Sequence, residues 1–81
     1  MDKLTQLESV LLSLGRLELA AEKALETLSI EGRQSALAGD YEGADLAWSK
    51  HDRTKQNLLT LRERIQIIES KLYAARRKIQ K

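Results

Sequence analysis

The acidic side chains Asp40, Glu42, Asp45 and Asp52 gather near the middle of the chain, with the only histidine, His51, beside the last of them. Grouped carboxylates can hold a hard cation, and a histidine among them can move protons or join a metal. The spacing argues against both. A calcium loop alternates its oxygen ligands, which these four do not, and zinc draws several ligands from Cys or His, where this chain has no cysteine and a single histidine. Asp40 and Glu42 are better explained as groups at the start of a helix, where a carboxylate accepts backbone N–H bonds and faces the positive end of the dipole. An enzyme would also need polar groups converging in a pocket. The expectation is therefore no catalytic residue, no cofactor and no metal.

A second constellation is cationic. Ala74-Ala75-Arg76-Arg77-Lys78-Ile79-Gln80-Lys81, with Arg62, Arg64 and Lys71 behind it, could displace counterions from phosphates. Cations at a helix C-terminus also complement the dipole, and their alternation with Glu63 and Glu69 describes a solvated face. Without interleaved aromatics or a zinc finger, a nucleic-acid partner ranks behind protein binding. Charge is nonetheless uneven: residues 1–31 hold six acidic and three basic side chains, residues 32–81 six acidic and eleven basic. Opposite signs suit two segments lying against each other.

The elements that carry these groups read as helices. Proline and phenylalanine are absent, and Leu, Ala, Glu, Lys, Arg and Gln dominate. Leu4, Leu7, Leu11, Leu14, Glu18, Ala21, Leu25 and Leu28 alternate three and four apart, the spacing that keeps one seam toward a partner helix, with Glu18 the polar exception. Thr5-Gln6-Leu7-Glu8 has capping-box form, and Asp2 is a second cap one turn earlier. After Leu28 the seam falters, and Gly32, close to Ser29, is a place where the helix can bend. A second run, Leu58, Leu61, Ile65, Ile68, Leu72, Ala75 and Ile79, alternates in the same way, and extended backwards it takes in Thr54 and His51.

Between the runs stands Gly39-Asp40, where glycine suits the left-handed end of one helix and aspartate the cap of the next. If the chain turns there, the seams face each other in antiparallel register, Leu11 opposite Ile68 and Leu14 opposite Ile65, with facing residue numbers that sum to 79. The expected architecture is all-α: a single domain over residues 1–81, an antiparallel two-helix coiled-coil hairpin with helices over about 3–38 and about 41–79. A seam histidine can switch with pH, yet more simply it packs near the hairpin end. Tyr41 and Trp48 are expected to fill the space where the helices diverge into the corner, with a binding anchor as the other reading of Trp48.

A core this narrow needs reinforcement. No disulfide can supply it, and Val10, Leu17 and Ala24 form a second apolar stripe on the first helix, while Leu46, Leu59 and Ile67 lie off the seam on the second. The hairpin is therefore expected to be completed by itself, as a dimer or higher oligomer, or by another helical protein, with Val10, Leu17, Ala24, Trp48, Leu59 and Ile67 as partner-binding residues. The N-terminus lacks the basic and apolar regions of a signal peptide, and no run approaches the roughly 20 apolar residues of a membrane span, so a cytoplasmic protein without membrane insertion is expected.

Gly39-Asp40-Tyr41-Glu42-Gly43-Ala44, with Trp48 further on, resembles the corner of a tetratricopeptide repeat, but no second copy follows at about 34 residues. Leu4-Thr5-Gln6-Leu7-Glu8, the long first helix, the Gly39-Asp40-Tyr41 corner, Trp48 and Ile65-Gln66-Ile67-Ile68 together resemble the helical-hairpin chaperones of type III secretion, in particular the needle-subunit co-chaperones, and more loosely flagellar export chaperones. That resemblance implies a short cytoplasmic protein without enzymatic activity, covering hydrophobic helices of an export substrate or of a larger chaperone. A structural coiled-coil subunit of a larger assembly, for instance from a phage, and a basic helical nucleic-acid-binding protein are the alternatives.

Overall fold

The computed structural model describes residues 2–79, with the side chain of Ile79 outside the described part, as are Gln80 and Lys81 of the basic tail. Two helices account for nearly all of it: α1 over Lys3–Leu37 and α2 over Tyr41–Ile79, antiparallel and joined by a tight corner. The capping at the N-terminus of α1 falls to Asp2, whose Oδ1 accepts the Thr5 backbone N–H at 2.7 Å, not to the Thr5 box. That bond holds the Asp2 carboxyl below its usual 3.8.

The corner closes both helices with three residues. Gly39 takes φ +81°, the Asp40 N–H donates to Ser35 O at 2.8 Å, and the Gly39 N–H donates to Ala36 O at 3.1 Å. These are the paired bonds of a Schellman ending, which satisfy carbonyls that the last turn leaves without partners. Asp40 serves twice, for its Oδ1 then accepts the Gly43 N–H at 2.9 Å and begins α2.

The molecule is a rod of 63 × 16 × 15 Å with a radius of gyration of 18.2 Å, against about 12 Å for a compact domain of this length. Its core is one layer wide. The first seam residues from Leu4 to Leu28 are all half-buried, and across from them Leu58 and Leu72 are buried while Leu61, Ile65, Ile68 and Ala75 are half-buried. α1 passes through Gly32 without a break, and the seam does not falter there. It changes residue size: Gly32 is buried and Ser35 half-buried, and on α2 Ala44 and Ala47 are buried in the matching positions. Hydropathy hides this end of the seam because glycine, serine and alanine carry little of it.

The polar exception is also resolved. Glu18 is half-buried on the seam, and Arg62 reaches across from α2 to hold it, Nε donating to Glu18 Oε2 at 3.2 Å and Nη2 to Glu22 Oε1 at 3.1 Å. Nearer the open end Arg76 Nη2 donates to Glu8 Oε1 at 3.4 Å. These cross-helix pairs agree with the register read from the seams. Cysteines at Leu11 and Ile68 are accordingly expected to cross-link within one chain on oxidation; efficient linking between position 11 of two chains, with none to position 68, would instead mean a parallel dimer. No helix among the described residues is long and apolar enough to cross a membrane.

Candidate protein-binding flanks

A two-helix seam has two flanks, and heptad spacing assigns side chains to them. On one, Glu8 and Glu22 of α1 meet Arg76 and Arg62 of α2. These pairs are exposed, so each contributes little to stability, about 0–1 kcal/mol, but they close the flank with compensated charge. Trp48 stands on the same side near the corner. Its indole covers Gly32 so closely that a Cβ on that glycine would lie 2.6 Å from Trp48 Nε1. It also meets the His51 ring edge-on at 5.1 Å between centroids. The indole remains 37% exposed, half core and half surface, while Tyr41 stays out at 71%. Tyr41 does not fill the corner as expected, because it begins α2 at a level where α1 has already ended at Leu37.

Between the two ion pairs this flank opens into a groove of about 490 Å³, floored by Leu11 and Leu72 and edged by Leu12 and Leu19, which exists because Gly15 has no side chain to fill it. Leu12 and Leu19 are 65% and 53% exposed. They were outside the apolar stripe read from the sequence, although their seven-residue spacing was there to be seen.

The opposite flank is built differently. Lys3, Val10, Leu17 and Ala24 recur every seven residues along α1, beside Lys50, Asn57, Arg64, Lys71 and Lys78 at the same interval on α2. Lys3, Lys71 and Lys78 line one shallow groove with Ala74 and Ala75, which shows the two rows adjoining. Val10 and Leu17 are exposed and Ala24 half-buried; Ile67, one step further round α2, is also exposed.

The six side chains expected to bind a partner thus fall into two groups. Val10, Leu17, Ala24 and Ile67 share the lysine-rich flank, whereas Trp48 and Leu59 belong to the ion-paired one, Leu59 lining a groove with Glu22 and Arg62. Their heptad positions, on opposite sides of the seam residues, separate them. Glu22, beside the seam residue Ala21, is engaged by Arg62. At the acidic corner, Asp40 is occupied as a cap, and among the described residues no group of three or more carboxylate or imidazole side chains converges as metal ligands would. Comparison with known proteins gives no match: neither a family model, nor a curated protein, nor a solved structure corresponds to this chain.

Proposed function

We propose that this chain is a protein-binding module without enzymatic activity, a small chaperone or co-chaperone of the secretion type that covers an amphipathic helix of another protein. One observation carries the reading: the hairpin leaves an apolar stripe in water. A compact monomer of 9.2 kDa exposes about 4,900 Å², and this one exposes 6464 Å². Val10, Leu17, Ala24 and Ile67 supply part of that excess along one flank, at the spacing by which a third helix would pack into a bundle. A helix laid there would reinforce a core that is one layer wide. The secretion class itself comes from the resemblance of the capping turn, corner and late Ile65–Ile68 run to needle-subunit co-chaperones.

The test is co-purification from the native host, followed by mass spectrometry and by light scattering on the eluted complex. A stoichiometric helical protein is expected, and Leu17→Asp should reduce its recovery at least tenfold, since a buried unpaired carboxylate costs more than about 1.4 kcal/mol. Lys23→Glu, on the outward face of α1, should leave recovery unchanged. Recovery of the chain alone as a dimer or tetramer would favour a structural coiled-coil subunit, and recovery of nucleic acid would overturn both readings.

A further inference from the structure

The lysine-rich flank carries information about its occupant beyond being apolar. Six cations point from it, Lys3, Lys50, Arg53, Arg64, Lys71 and Lys78, all exposed, and among the described residues none forms an ion pair. None has a carboxylate three or four residues away on its own helix, the distance at which helical neighbours compensate charge. Glu31 is the one acid at a flank position on this side; the other carboxylates cap helices, pair with Arg62 and Arg76, line the ion-paired flank as Glu69 does, or face outward. The hairpin has therefore neutralised one flank and left the other uncompensated.

Two occupants fit this pattern poorly. A second copy docking through the same flank about a two-fold axis would set the cations against themselves, and like charges across an interface are costly. A nucleic-acid strand would match the charge but not the interleaved Val10, Leu17 and Ile67, which phosphates have no use for. A third helix matches both. A helix whose apolar seam covers Val10, Leu17 and Ala24 presents its own flanking positions every seven residues, the interval of Lys50, Arg64, Lys71 and Lys78 with Asn57 as the neutral step. Resting on the helix-binding reading above, we infer that the lysine-rich flank takes an amphipathic helix of a different protein whose seam is bordered by Asp or Glu at heptad intervals.

Synthetic probes decide this with the full chain. Two helices of about four heptads share a leucine seam, one bordered by glutamate and one by lysine. The glutamate helix should bind at least tenfold more tightly at low salt, from four flanking pairs of modest strength each, and the preference should shrink as salt is raised past about 0.5 M. The triple variant Arg64→Glu/Lys71→Glu/Lys78→Glu, checked for unchanged helicity, should reverse the preference. Leu17→Asp should weaken both helices. Equal affinity for the two, with Leu17→Asp still abolishing each, would overturn the charge rule while leaving helix binding intact. Failure of both helices to bind would overturn the charge rule and count against helix binding as well. Preferential binding of a short DNA duplex, lost in the triple variant, would replace the acidic helix with nucleic acid.

Discussion

Leu58→Ala and Leu72→Ala are each expected to lower the melting temperature by about 8 °C or more. Both leucines are nearly sealed, at 4% and 5% exposure, and both lie midway across a core only one side chain deep. Truncating a buried leucine removes its transfer free energy and leaves a cavity that the surroundings fill poorly, costing about 2–5 kcal/mol. A domain of this length has roughly 4–12 kcal/mol in all, and a single-layer rod lies at the lower end. For a chain this size each kcal/mol is worth about 4–8 °C. Leu37→Ala is the matched control, because Leu37 is 89% exposed and its truncation should move the transition by no more than about 0.5 kcal/mol. Thermal melts followed by circular dichroism compare the three. Similar shifts for Leu58 and Leu37 would show that the seam is not the core.

The second large effect is a change of sign. Gly15→Ala and Gly32→Ala are the same substitution inside the same helix, and by helix propensity each should stabilise by about 1 kcal/mol. At Gly15 nothing lies within 4 Å of the new methyl group, so that gain should be realised. At Gly32 the methyl would meet Trp48 Nε1 at 2.6 Å and Cε2 at 2.7 Å, so the indole must leave its place or the helices must separate. Overpacking of this kind costs about 1–3 kcal/mol and should cancel or outweigh the propensity gain. Gly15→Ala should therefore raise the melting temperature, and Gly32→Ala should lower it while shifting Trp48 emission to the red. Adding Trp48→Leu to Gly32→Ala should recover stability relative to the sum of the single changes, since the two residues touch. If both glycine variants are stabilised alike, the indole does not rest on Gly32.

The seams were legible from Leu4 to Leu28 and from Leu58 to Ala75, because leucine and isoleucine at alternating spacings of three and four keep one continuous line toward a partner helix. The corner was legible because glycine and aspartate do different things there, one accepting a positive φ and the other capping. The seam through Gly32, Ser35, Ala44 and Ala47 was not, since small residues pack without a hydropathic signature, and the indole that fills their space comes from outside the seam. The two flanks were legible in the heptad positions, since Val10 precedes a seam residue and Leu59 follows one. The meeting of Glu8 with Arg76 and of Glu22 with Arg62 across only one of them was not.

A rod whose layers touch only their neighbours behaves as a zipper more than as a globule. The Schellman corner pins one end of the zipper, so the first layers to form cost the closure of a short loop and each further layer adds only a little to that cost. Loss of structure then starts at the far end, where Asp2 and Leu4 lie alongside Ala75, and runs toward the corner. The only tryptophan of the chain sits at the pinned end, against Gly32. Its fluorescence reports the last teeth to part, while circular dichroism averages over them all, and the gap between the two signals measures how far the zipper has opened.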